Sequence, residues 1–329
     1  MRNIRIVSDL DECRSIWKQV IPSDYVTDLW EVRECFQKYF QRPPYFIVSE
    51  RNGRITGFLP LSRVDETGNF AYFPGETWGG KTWLEQNRVL VSNDRELREM
   101  LEVIPGEYYL RYLLPAGMTR QSTVIVDEIG YLFNPNEYAY EMENYFDEFS
   151  HKTVKRIRKD IASFMEKDLH FRYDDLRDFD EMVRLNIERF GESSYYYDPR
   201  FRESFRDLMY FLNEKGWLRM TTVIINGETA AVDMGALYRG NYTLMAGGTN
   251  AAYPGVAKLI NTHHMQRACS ERMDTVDFLC GNFSWKTMFH LTPRPLYMLS
   301  NIPQAVTVPE STVTPIMEKV PMRRSANAG

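Results

Sequence analysis

Cysteine is scarce and scattered. Cys13, Cys35, Cys269 and Cys280 are the only four in 329 residues, and no two form a CxxC pair. That excludes a disulfide framework and suits a reducing compartment. No stretch approaches the roughly 20 apolar residues that cross a bilayer. The opening residues, MRNIRIVSDLDECRS, carry charge where a secretory leader needs an apolar run. A cytoplasmic protein is therefore expected. Neither sign of charge dominates, since 40 Lys and Arg face 45 Asp and Glu for a net charge of −5. This balance argues against a dedicated nucleic-acid coat, although a local basic patch is compatible with it. There is no GxSxG nucleophile elbow and no Walker loop. His263 and His264 are adjacent on a predicted helix, so they point about 100° apart and cannot share one metal well. No metal site is expected.

What is present is core-forming material. The chain is 43% hydrophobic and 14% aromatic, which excludes wholesale disorder, and its length suits two domains. The first half reads as a strand at Ile4–Val7, a helix from Leu10 behind a Ser8 cap, and a helix near Asp28–Phe40. PYFIVSE-RNG-RITGFLPLS then places two apolar runs around Asn52-Gly53, the pattern of a hairpin with a primed turn. A strand near Phe70–Phe73, a helix near Asn93–Val103 and strands at Tyr108–Leu114 and Thr123–Val126 follow.

The second half repeats that order. A strand at Leu169–Tyr173 precedes helices near Leu176–Phe190 and Asp198–Glu214. Strands at Trp217–Ile225, Thr229–Tyr238 and Tyr242–Gly247 are separated by Asn226-Gly227 and Arg239-Gly240-Asn241. A helix begins at Pro254-Gly255 and runs to about Arg272, before strands at Thr275–Leu279 and Arg294–Leu299. The matching order points to a duplicated α+β fold. A single long helix over 141–167 is expected to join the halves. The expected organisation is a degenerate domain over 1–140, a connecting basic helix over 141–168, a second domain over 169–300 and a poorly ordered tail over 301–329.

Strand, two helices, three antiparallel strands, helix and strand is also the order of the GNAT N-acyltransferase fold. In the second half, Ala252-Tyr253-Pro254-Gly255-Val256-Ala257 resembles the GNAT phosphate loop [Q/R]xxGx[G/A], apart from its first position. DFLCGNFSWKTMF, from Asp277 to Phe289, is similar to the ending of the CelD/BioF2-like acetyltransferase group. The basic run from Lys152 to Lys159 and the PYFIVSE hairpin resemble that group too. The likeness covers roughly residues 1–300 and extends distantly to the Fem-type aminoacyl transferases. It implies two tandem GNAT-like domains, each a mostly antiparallel twisted sheet flanked by helices.

The resemblance implies transfer of an acyl group, acetyl in the simplest case, from coenzyme A to an amine of an amino sugar, amino acid or peptide. Acyl-CoA is then a co-substrate, with no tightly bound cofactor. Pro254, Gly255, Val256, Ala257 and Lys258 would hold the diphosphate, because a helix start offers free amides and a positive dipole end. Met245, Ala246 and Gly247 would lie beside the pantetheine arm, which can pair with a strand edge. Asp233 and Asp277 each interrupt an apolar strand, and Lys286 matches the lysine of the family ending. These three are the catalytic candidates: a base, a positioning carboxylate and a cation for the oxyanion. The ordinary reading of Asp233 is a residue on a solvated sheet face. Tyr195, Tyr197 and Arg158 are the candidates for binding the acceptor. Ala252, in place of Gln or Arg, together with the basic helix, favours a Fem-like donor, aminoacyl-tRNA, as the alternative. A non-catalytic GNAT scaffold is the third reading.

Overall fold

The computed structural model describes residues 2–115, 124–281, 286 and 288–302. It opens with β1 (Arg2–Val7), α1 (Leu10–Val20) and α2 (Trp30–Phe40). Asp9, not Ser8, caps α1. Its backbone is still extended, and its carboxylate accepts the Glu12 amide at 2.9 Å. β2 (Pro44–Arg51) and β3 (Arg54–Arg63) form the expected hairpin. Asn52 and Gly53 both take positive φ, 53° and 73°, as a primed turn requires. β4 (Phe70–Tyr72), a ribbon of β5 (Thr77–Trp78) and β6 (Lys81–Thr82), α3 (Asp94–Glu102), β7 (Tyr109–Leu113) and β8 (Val124–Phe133) follow. The ribbon was not foreseen, because two-residue strands leave no periodicity to read.

The helix expected over 141–167 is two helices, α4 (Met142–Phe146) and α5 (His151–Met165). Ser150 breaks it. Its backbone is extended and its hydroxyl accepts the Thr153 amide at 3.2 Å, so it starts a new helix inside a helical pattern. The second half comprises β9 (Leu169–Tyr173), α6 (Asp178–Phe190), α7 (Pro199–Glu214), β10 (Leu218–Ile225), β11 (Glu228–Tyr238), β12 (Asn241–Thr249), α8 (Val256–Ser270), β13 (Thr275–Asp277) and β14 (Thr292–Ser300). The expected tail lies outside the described residues beyond Ile302. No helix among the described residues is long and apolar enough to cross a membrane.

The halves are joined through their sheets. One sheet runs β1-β2-β3-β4, and a second runs β7-β14-β8-β13-β12-β11-β10-β9. β8, from the first half, pairs antiparallel with β13 of the second, while β14 pairs with both β7 and β8. Each half therefore has four antiparallel strands followed by a strand that starts parallel and splays away. In the first half that contact is a single bridge, Phe70 to Tyr108. In the second, β12 and β13 pair over 241–243 and 275–277 and then part. The fold is mixed α+β with two GNAT-like sheets, and the central strands are exchanged between them. Helices seal the same junction: Phe36 and Phe40 of α2 pack edge-on against Phe205 and Phe201 of α7, at 5.4 and 4.9 Å between ring centroids.

Candidate functional site

In the second half β12 and β13 part after a short parallel stretch. Between Met234 and Gly235 the β11–β12 register slips by one residue, which leaves Met245 as a bulge. Beyond Thr243 no described strand pairs with the β13-facing edge of β12. Met245 is buried, while Ala246 and Gly247 are half-buried along that stretch. Asn186 of α6 donates to the Gly247 carbonyl at 2.6 Å and accepts the Ser194 hydroxyl at 2.7 Å. Asn186 was not identified from the sequence; the only available signal is a polar residue within an apolar helical pattern.

β12 leads into the glycine loop. Gly255 has φ of 90°, a backbone natural to glycine, and caps α8 without a side chain. Some loop amides are taken: Ala252 N by Asn250 Oδ1 at 2.9 Å, Val256 N by Tyr253 O at 3.1 Å and Lys258 N by Gly255 O at 2.9 Å. Gly255 N and Ala257 N find no acceptor among the described residues, and Pro254 and Gly255 are exposed. The loop thus presents free amides at the start of a 15-residue helix. Lys258 sits beside it but is paired with Asp160 of α5 at 2.6 Å.

Asp233 does lie opposite Val232 and Met234, but its face of the sheet is not solvated. His264 of α8 covers it, with Nε2 and Asp233 Oδ2 3.0 Å apart. His264 Nδ1 lies 3.3 Å from the Tyr242 hydroxyl. One neutral tautomer satisfies the whole chain: Nε2–H donates to Asp233, and Nδ1 accepts from Tyr242. Burial, helped by the nearby Asp233, pushes the Tyr242 phenol far above its ordinary value. Gly247 faces Asp233 across the strands, and any side chain there would strike the carboxylate.

His263 points the other way. It stacks on Phe171 at 4.0 Å and meets the Tyr173 hydroxyl at 3.0 Å. Burial first, then His264 and Arg267, hold its pKa down to about 4. A depressed histidine pKa means that the unfolded chain takes up the proton first. Stability is then lost as pH falls from about 6.5 towards that folded value. Because the ring is partly exposed, the expected loss is on the order of 1–2 kcal/mol. Urea unfolding at neutral and acid pH checks this, with His263→Gln expected to lose part of the slope.

Asp277 and Lys286 meet in a buried charged cluster where the two halves join. Asp277 accepts from Arg294 at 2.6 Å, from Gln86 of the first half at 2.5 Å and from the Leu279 amide at 2.9 Å. Lys286 donates to the carbonyls of Phe278 at 2.9 Å, Leu279 at 2.9 Å and Cys280 at 2.6 Å. Glu85 holds the Cys280 amide from the other side at 2.9 Å. Three carbonyls match the three N–H donors of an ammonium. Burial lowers the Lys286 pKa and raises those of Glu85 and of the Cys280 thiol. The sequence separates Glu85 from this cluster by about two hundred residues, so no local pattern could reveal it.

The remaining candidates lie elsewhere. Tyr195 donates to the Thr82 carbonyl at 3.2 Å, and Tyr197 stacks on Trp78 at 6.2 Å, so both face the β5–β6 ribbon of the first half. Arg158 is exposed on α5 and pairs with Glu143.

Residues 151–287 match the family model of the acetyltransferase (GNAT) domain. This segment is a GNAT domain. No curated protein matches the sequence. Among solved structures, a conserved protein from Bacteroides thetaiotaomicron shares 12% identity, with 91% of this chain and 99% of that one covered and a TM-score of 0.55. FemX shares 9% identity, with 91% and 97% covered and a TM-score of 0.55. The C-terminal domain of a putative lysylphosphatidylglycerol synthetase from Agrobacterium fabrum shares 10%, with 88% and 93% covered and a TM-score of 0.51. At such identities the likeness is one of fold. The GNAT domain contains the bulged strand, the splay and the glycine loop described above.

Proposed function

We propose that the protein is an N-acyltransferase that moves an acyl group, acetyl in the simplest case, from a coenzyme A thioester to an amine of an amino sugar, amino acid or peptide. The observation that carries this reading is the open edge of β12 running into the free amides of Gly255 and Ala257. An amide-rich arm can add to such an edge as a strand does, and a diphosphate suits the helix start. The GNAT family model over the same residues supports it. The four cysteines are all free, in keeping with a cytoplasmic setting.

Coenzyme A should bind and raise the melting temperature. Ala257→Asp, which sets a carboxylate beside the loop amides, should weaken that binding at least tenfold, equivalent to about 1.4 kcal/mol. Titration calorimetry checks both. Absence of binding to the wild type, or unchanged affinity in the variant, would sink the proposal.

A second reading, an aminoacyl-tRNA donor, draws on two observations. Position 252 supplies no cation and Lys258 is occupied by Asp160, whereas Lys152, Lys155, Arg156 and Lys159 of α5 are exposed. The shared fold with FemX is compatible with it. Competition between tRNA and coenzyme A for the protein separates the two donors.

A further inference from the structure

The first half contains a cavity of about 250 Å³ at its own strand splay, between β4 and β7. Ala71 and Tyr72 line one side and Tyr109 and Arg111 the other, with Phe70 and Trp78 among the apolar walls. An apolar cavity of about 150 Å³ already takes benzene, so this one has room for a ring or short chain with a polar end.

Two buried polar groups on its wall lack complete partners. Arg33 is 1% exposed. Its Nε donates to Thr27 O at 2.8 Å and one terminal nitrogen to Phe73 O at 3.3 Å. The other terminal nitrogen has no acceptor among the described residues, and no carboxylate forms an ion pair with this guanidinium. The rings of Trp17 and Tyr72, 5.6 and 5.3 Å away, hold it in place. Glu76 also lines the cavity, but its Oε1 is turned to Thr82 Oγ1, Trp83 N and Leu84 N at 2.9, 3.2 and 2.8 Å. The second group is Asn87. Its amide nitrogen is used twice, by Leu84 O and Arg111 O, whereas its Oδ1 is buried without a donor. The Asp28 and Glu76 carboxylates attract this guanidinium without bonding to it, so its free terminal nitrogen and the orphaned Asn87 acceptor are both left unsatisfied, which is costly. A bound anion relieves the first.

We infer that this cavity binds a small monocarboxylate with an apolar body, its carboxylate on Arg33 and its ring or chain against Phe70 and Trp78. The free terminal nitrogen carries two N–H donors and a share of the positive charge, so a carboxylate binds it more strongly than a neutral amide does. Tyr197, stacked on Trp78, ties this wall to the loop of the second half that the sequence singled out. The inference does not depend on the identity of the acyl donor, because none of the cavity's groups belongs to the β12 edge or the glycine loop.

The test uses the full chain and three probes: benzoate, 3-phenylpropionate and hexanoate, each beside its primary amide. Calorimetry should show saturable binding of at least one carboxylate, at least tenfold tighter than its amide. The Arg33 Nε–H resonance should shift on addition of the carboxylate. Arg33→Gln should abolish the preference, and Thr77→Trp, on the cavity wall, should lower affinity while leaving Arg33 intact. The inference is overturned if none of the three carboxylates binds, if the amides bind equally, or if Thr77→Trp leaves binding unchanged. Should Arg33→Gln fail to fold, the carboxylate-to-amide ratio, the resonance shift and Thr77→Trp decide the matter. Coenzyme A added to the same samples reports on the donor site separately.

Discussion

Lys286→Met lowers the unfolding free energy by about 3–5 kcal/mol, the range for removing one partner from a buried charged pair. The substitution preserves much of the volume, so the loss is electrostatic. It leaves three carbonyls at 278–280 without donors, and it removes one of the cations that stabilise the buried Glu85 carboxylate. Glu85→Gln in the same background should restore a part of the loss, about 1–2 kcal/mol, by removing that buried charge. The pH dependence has a definite sign. Burial already holds the Glu85 pKa above its unfolded value, and loss of the lysine raises it further. A raised carboxyl pKa contributes stability that is complete below the unfolded value and is lost as pH rises through the folded one. The deficit of the methionine variant is therefore smallest near about pH 4 and grows towards neutrality. Urea midpoints and slopes across that range provide the check. A loss under about 1 kcal/mol accompanied by abolished transfer would instead assign the lysine to the substrate.

The same residues show how far the sequence could be read. The three glycine turns, the repeated order of elements and the helix start at Gly255 are all local features, set by φ and by short-range periodicity, and each is found where the sequence placed it. Asp233 and Asp277 were recognisable as anomalies, because a carboxylate in an apolar strand needs a partner. Their partners were not recognisable. His264 is one helix away and Gln86 lies in the other half of the chain. The exchange of β8 and β14 between the sheets is hidden for the same reason: a strand's pattern records which face is buried, not which edge it joins. Ser150 was a missed local signal, since a serine cap inside a helical pattern resembles a tolerated interior serine until its backbone is seen.

His264→Leu should cost about 2–3 kcal/mol, because it strands the Asp233 carboxylate beneath α8 with no donor. Asp233→Ala should cost less, since neutral imidazole can still bond to Tyr242. The double variant should be more stable than the sum of the single losses predicts, with a coupling of about 1–2 kcal/mol, as expected for residues in direct contact. The four proteins of the cycle, unfolded in urea under one set of conditions, yield that value directly. The consequence for function follows from position. α8 begins at Gly255, and the Asp233–His264–Tyr242 chain fixes this helix on β11 and β12 two turns further along. Breaking the chain therefore loosens the helix whose first amides are proposed to hold the diphosphate. Coenzyme A affinity should fall in His264→Leu, whereas Lys286→Met, which leaves α8 on its sheet, should keep it at temperatures where both proteins are folded. Equal affinity in the wild type and in His264→Leu would separate the network from the glycine loop and leave it a purely structural tie.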